Sequence, residues 1–138
     1  MHYRTTRALL LTLALLGAVV AWPARAADGL FVNLTSDDWH RAYMALAFSQ
    51  KVLEAGHPVT VFLNIDSVKI AAKKAGKHKD NQALLSALVK SGATVLACPH
   101  CVEHARMKPS DLMDGVKMST PELVQGALFE PGTRSLSW

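Results

Sequence analysis

The sequence predicts a single α/β domain in which five β-strands form one mostly parallel sheet between layers of helices. Short apolar runs alternate along the chain with longer segments in which apolar residues recur at helical spacing. A strand–helix–strand order of this kind is typical of a parallel pair joined by a right-handed crossover. Five such strands fit a three-layer sandwich of the flavodoxin-like type, for which we predict the strand order 2-1-3-4-5.

The first strand and helix are indicated by an apolar run at residues 29–34 and a cluster of capping residues, Thr35 to Asp38, directly after it. A helix is expected from about Trp39 to Ala55, because its apolar side chains lie three to four residues apart and Gly56 suits its end. The continuous apolar run 59–65 predicts a second strand that is buried on both faces.

Residues 66–80 form the least regular stretch and are rich in lysine: Lys69, Lys73, Lys74, Lys77 and Lys79. This segment is either a cationic flap that attracts an anion or, as we prefer, a solvated loop or short surface helix. Asp80 is then expected to cap a helix over residues 81–90, before a third strand at residues 93–97.

The last part of the chain predicts two further strands and one helix. Residues 115–118 suit a short fourth strand, and Thr120 followed by Pro121 is a typical start of a helix, which we expect to end near Phe129. Alternation over residues 133–138 then indicates a final strand.

The N-terminal segment has the pattern of a secretory signal peptide. A basic start is followed by an uncharged run at residues 8–21 and an A-x-A site at residues 24–26. We expect cleavage after Ala26, export to the periplasm, and one domain over residues 27–138. The run is shorter than the roughly 20 residues that a spanning helix needs, so no stable membrane anchor is expected after cleavage.

Net charge gives no reason to expect a nucleic-acid partner. Residues 1–26 hold three of the 15 basic residues and none of the 11 acidic ones, which leaves 12 against 11, a net charge of +1. Such a balance lacks the strong positive field that nucleic-acid binding requires.

The chemistry-bearing segment is Cys98-Pro99-His100-Cys101, which holds both cysteines of the chain. It follows the third strand, and Pro99 suits the first position of a helix, where the helix dipole favours a thiolate on Cys98. A disulfide between Cys98 and Cys101 would close a very short loop and do little to constrain the unfolded chain. We therefore expect a redox, sulfur-handling or metal-binding role for the pair.

Three further residues are candidates to assist the thiols. In the predicted strand order, the loop after the first strand faces the loop after the third, which would bring Asp37 and His40 near Cys98. His100, if protonated, would add to the stabilisation of a Cys98 thiolate.

Two alternative sites use the same segment. Cys98, Cys101 and His104 are spaced by three and lie near one helix face, where sulfur and imidazole suit copper or zinc. Otherwise we expect no cofactor. The tetrapeptide C-P-H-C also resembles the active site of periplasmic thioredoxin-fold enzymes, so thiol–disulfide exchange through Cys98 and Cys101 is a further alternative.

Taken in order, several segments resemble the DsrE/DsrF-like family of sulfur-transfer proteins, which includes the TusD-type carriers. These segments are residues 30–38 with the long helix after them, 59–64, 91–101, 111–116 and 136–138. The resemblance implies that Cys98 carries sulfane sulfur as a persulfide, as a carrier rather than as a turnover enzyme. It also implies donor and acceptor proteins or small sulfur species as partners, and a homo-oligomer, commonly a trimer or hexamer.

Overall fold

A computed structural model describes residues 28–74 and 76–138, so the predicted signal peptide lies outside the described residues and stays a prediction. Strands and helices alternate along the described chain. They are β1 (Leu30–Leu34), α1 (Trp39–Glu54), β2 (Val59–Leu63), α2 (Lys79–Lys90), β3 (Thr94–Ala97), α3 (Pro99–His104), β4 (Val116–Met118), α4 (Pro121–Leu128) and β5 (Arg134–Ser137).

The five strands form one sheet, in which every pair of neighbours is parallel. With helices on both faces, this arrangement confirms the predicted three-layer α/β class. The predicted order 2-1-3-4-5 is wrong in detail, because the strands lie in the order β4-β3-β2-β1-β5. β2 is apolar except for Thr60 and takes an interior place, whereas β4 and β5 carry Lys117 and Arg134 and lie at the edges, where charged side chains are common.

The main core lies on one face of the sheet. β1 to β4 step in one direction across the sheet, and right-handed crossovers therefore place α1, α2 and α3 on that face. Leu46 of α1, Leu88 of α2 and Val102 of α3 pack there against alternate strand residues such as Val61 and Val95. The chain then crosses back from β4 to β5, and this return places α4 on the opposite face.

The segment 66–80 differs from the solvated loop or surface helix that we preferred. It begins with a 3-10 helix, Ile65–Ala71, in which Val68 and Ile70 are fully buried. Most of the lysines remain exposed. The segment is thus anchored in the core by its apolar residues and displays its charges outwards.

In the described part of the chain, no helix combines the length and the apolar character that crossing a membrane requires.

Candidate functional site

Cys98 lies at the carboxyl edge of the sheet, as the sequence predicts. It follows β3 with extended backbone angles (φ −64°, ψ 119°) and is the N-cap of α3, with Pro99 in the first helical turn. Its backbone N–H donates to the carbonyl oxygen of Leu63 at 2.9 Å, which ties Cys98 to the end of β2. Its Sγ accepts a hydrogen bond from the backbone N–H of Cys101 at 3.3 Å. The thiol is therefore half-buried and held in a defined position.

Cys101 lies one turn into α3 and is also a half-buried, free thiol. Burial raises the pKa of the Cys101 thiol above its ordinary value of 9.0, and its hydrogen bond with the Cys98 side chain raises it further. A hydrogen bond with the backbone of Ile65 opposes these effects and is the weaker influence. Cys101 therefore stays protonated at neutral pH.

Ile65 and Asp66 lie directly after β2, at the same edge of the sheet as Cys98. Ile65 has a left-handed backbone (φ 52°), which is uncommon for a β-branched residue. Asp66 pairs with Lys69 at 2.5 Å, and this contact lowers the pKa of Asp66.

The juxtaposition of Asp37 and His40 with Cys98 that we predicted from the strand order does not form. β2 lies between β1 and β3, so the loop after β1 is two strand spacings, about 10 Å, from the end of β3. Asp37 instead contacts Lys77 at 3.3 Å and His78 at 3.4 Å. His40 is exposed and stacks on Trp39, with ring centroids 6.0 Å apart.

His100 is exposed in the first turn of α3, next to both cysteines in sequence. It remains a candidate for assisting the thiols from the solvent side.

Within residues 28–74 and 76–138, no group of three or more His, Cys, Asp or Glu side chains is arranged to hold a metal ion. The alternative copper or zinc set of Cys98, Cys101 and His104 is accordingly not assembled. A soft metal needs these ligands around one point, and His104 lies in the last turn of the short helix α3.

The fold and the paired thiols define a class of parallel α/β protein with a cysteine at the carboxyl edge of an interior strand. Residues 30–130 match the model of the DsrE/DsrF-like family, so the chain belongs to this family. Members of the family act in sulfur relay with partner proteins.

Two archaeal relatives are uncharacterized proteins. MJ0989 of Methanocaldococcus jannaschii is 33% identical over 82 residues, which cover 58% of this chain and 72% of the relative. MK0008 of Methanopyrus kandleri is 33% identical over 84 residues, which cover 58% of this chain and 68% of the relative.

Solved structures share the fold at low sequence identity. MTH1491 from Methanobacterium thermoautotrophicum has a TM-score of 0.66 at 15% identity and covers 79% of this chain and 97% of its own. The ychN protein from E. coli has a TM-score of 0.62 at 18% identity, with coverage of 81% and 99%. BT1422 from Bacteroides thetaiotaomicron has a TM-score of 0.66 at 21% identity, with coverage of 84% and 100%.

Proposed function

We propose that this chain is an exported sulfur carrier that holds sulfane sulfur as a persulfide on Cys98. Membership of the DsrE/DsrF-like family supports a role in sulfur relay. The observation that carries the choice of residue is the position of Cys98 directly after β3, half-buried at the carboxyl edge. Open parallel sheets bind their ligands at this edge, so a donor can reach the sulfur there.

The proposed transfer needs no cofactor. The Cys98 thiolate attacks the outer sulfur of a donor persulfide, R–S–SH, and a new sulfur–sulfur bond forms at Cys98. The sulfur–sulfur bond of the donor breaks, and the donor leaves as a thiolate. No electrons are gained or lost overall, so neither an oxidant nor a reductant is required. Donor and acceptor are proteins or small sulfur species.

Cys101 has the secondary role in this proposal. Its raised pKa keeps it a poor nucleophile at neutral pH, because the thiolate is the reactive form. Its backbone N–H holds the Cys98 sulfur, and its thiol lies ready to resolve or protect the adduct.

Loading from inorganic polysulfide tests the proposal. The wild type, Cys98→Ser and Cys101→Ser proteins are reduced, exposed to polysulfide and weighed by intact-mass spectrometry. We expect the wild type and Cys101→Ser to gain the mass of one sulfur atom, with a longer-lived adduct in Cys101→Ser. Cys98→Ser should not load, and normal loading of that variant would show that Cys98 is not the carrier residue.

Thiol–disulfide exchange is the second candidate, because Cys98 and Cys101 are both free thiols and lie one helical turn apart, with the Cys101 N–H bonded to the Cys98 sulfur. Exchange needs both cysteines, whereas sulfur carriage needs Cys98 alone. An insulin-reduction assay therefore separates the two functions. Activity that is lost in Cys101→Ser, together with an absence of sulfur loading in the wild type, would favour the oxidoreductase.

We also propose that the protein is a homo-oligomer. β5 is an edge strand with every residue exposed, and Leu136 on it is 41% exposed. Phe48 of α1 is 44% exposed and contacts Trp138 with ring centroids 6.0 Å apart, so the apolar surface continues from the strand onto the helix. An exposed edge and an adjoining apolar surface favour burial against another copy of the chain.

A further inference from the structure

An open groove of about 400 Å³ runs between α4 and the sheet. Pockets that bind small molecules are typically about 300–1,000 Å³. Phe31 and Phe62 form its floor, with ring centroids 6.3 Å apart, and Val124 and Leu128 of α4 line it from above. α4 has no fully buried residue, so the helix covers this face loosely and leaves room for a ligand.

A row of amide and hydroxyl groups crosses the groove at the carboxyl ends of three strands. Asn64 Nδ2 donates to Asn33 Oδ1 at 2.5 Å, and Asn33 Nδ2 donates to Ser137 Oγ at 3.3 Å. Each asparagine amide has two N–H groups and an oxygen with two lone pairs, so these bonds leave donors and acceptors to spare. The row therefore matches a ligand that itself carries amide groups.

This row leads to the reactive thiol. Leu63 of β2 pairs with Ala97 of β3, and the Cys98 N–H bond to Leu63 extends that register to Asn64 and Cys98. Side chains alternate between the two faces of a strand. Because Leu63 belongs to the core on the α1 face, the side chain of Asn64 lies on the groove face. The sulfur of Cys98 lies at the edge itself, where it accepts a hydrogen bond from the first turn of α3. The backbones of Asn64 and Cys98 are therefore neighbours, about one strand spacing (4.8 Å) apart, at the end of the polar row.

The groove is uncharged, in contrast to the other side of the same sheet edge. None of the eight side chains that line it in the described part of the chain carries a charge. On the α1 side, by contrast, Asp37 contacts Lys77 and Asp66 contacts Lys69. An anion in the groove would lose its hydration without gaining a charged partner. A neutral ligand could pack its apolar groups on the aromatic rings and hydrogen-bond its amide groups to the polar row.

We infer that the groove binds an uncharged, amide-bearing organic persulfide, of which a short capped cysteinyl peptide is the simplest example. The inference rests on the proposed role of Cys98 as the sulfur acceptor. The apolar part of the donor lies over Phe31 and Phe62, and its amide bonds to Asn33 and Asn64. Its outer sulfur then reaches Cys98. The Cys98 thiolate takes that sulfur, the donor's sulfur–sulfur bond breaks, and the peptide leaves as its thiolate.

Relative loading rates test the groove. Two donors are compared: the persulfide of an N-acetylated, C-amidated dipeptide of phenylalanine and cysteine, and inorganic polysulfide. Rate constants for loading of Cys98 are measured by quenched mass spectrometry. Leu128→Glu places a charge in the groove, and the exposed Gln125→Glu on the same helix is the matched control. The ratio of the peptide rate constant to the polysulfide rate constant should fall about tenfold in Leu128→Glu and stay within about twofold in Gln125→Glu.

An unchanged ratio in Leu128→Glu would overturn the inference. If Leu128→Glu does not fold, Asn33→Ala replaces it and should lower the same ratio, because it removes an amide from the row. A change of mass by light scattering in Leu128→Glu would show that a second copy of the chain occupies the groove, which would also overturn the inference.

A binding measurement separates this inference from the role of Cys98. The same dipeptide with serine in place of cysteine is added to ¹⁵N-labelled Cys98→Ser protein. The amide signals of Phe31, Asn33 and Asn64 should shift. If these amide signals shift while the wild type loads from neither donor, the groove binds the peptide but Cys98 is not a sulfur carrier. If polysulfide loads Cys98 but these signals do not move, the carrier role stands and the groove inference is wrong.

Discussion

The two thiols should differ in reactivity, and single-cysteine variants isolate each one. In Cys98→Ser the remaining thiol is Cys101, whose pKa is raised above 9.0 first by burial and then by its contact with Cys98. The substitution removes the Cys98 thiol but leaves the burial. A thiol with a pKa of 9.0 is about one per cent thiolate at pH 7, and Cys101 must be below that fraction. Alkylation follows the thiolate fraction, so Cys101 should react slowly.

Iodoacetamide labelling between about pH 6 and pH 8 measures this difference. Folded Cys98→Ser should react more slowly than the same variant unfolded in urea, which supplies a matched control with an exposed thiol. Below neutral pH, Cys101→Ser should react faster than Cys98→Ser. If folded Cys98→Ser reacts as fast as its unfolded form, or faster than Cys101→Ser, the roles assigned to the two cysteines are wrong.

Four further predictions follow from the same structure. The free energy of unfolding should fall as the pH rises past about 9, because the unfolded chain releases the Cys101 proton before the folded chain does. Urea titrations should show that fall in the wild type and not in Cys101→Ser. Stability should also fall below about pH 6.5, because burial lowers the pKa of His78 and the unfolded chain then binds a proton that the folded chain does not. His78→Gln should lose this pH dependence. An NMR titration that gives a His78 pKa above the ordinary histidine value would contradict the prediction. Light scattering at micromolar concentration should give an oligomer for the wild type and a smaller species for Leu136→Lys; a monomeric wild type would refute the proposed assembly. Mass spectrometry of exported protein should give Ala27 as the first residue, and retention of residues 1–26 would refute the predicted cleavage.

Local signals in the sequence were sufficient for the elements that position Cys98. Asp38 and Thr120 were expected at helix starts, and both accept hydrogen bonds from the first turns of their helices. The Cys98-Pro99 pair also begins a helix as predicted. Capping depends on a few consecutive residues, so it can be recognised without knowledge of the tertiary structure.

The strand order depends on how apolar and how long each strand is. An uninterrupted apolar strand needs a neighbour on each side, whereas a short strand with a lysine suits an edge. β2, apolar except for Thr60, has the first of these two features, and β4 has the second. The predicted order placed β2 at an edge, and the expected proximity of Asp37 and His40 to Cys98 depended on that placement.

Other features could not be predicted from local patterns. Asp80 was expected to cap α2, but the helix begins at Lys79, and the Asp80 carboxylate accepts a hydrogen bond from Trp39 Nε1 at 3.3 Å. Asn33 and Ser137 meet although 104 residues separate them in sequence. Such pairs depend on the register of several strands together, which no single segment encodes.

The exposure of the Cys98 sulfur follows from the register of β3. Val95 and Ala97 are buried in the core on the α1 face, and the intervening Leu96 is buried on the opposite face. The strand is therefore covered on both faces from Val95 to its last residue, and Cys98 is the first residue beyond it that is partly exposed. A thiol one position earlier would replace the fully buried Ala97 and would be inaccessible to a donor. The same core packing that stabilises β3 thus determines which cysteine position can react, and Pro99 begins α3 immediately after it. In this chain, the requirements of folding and of thiol chemistry therefore meet at one peptide unit, between Ala97 and Cys98.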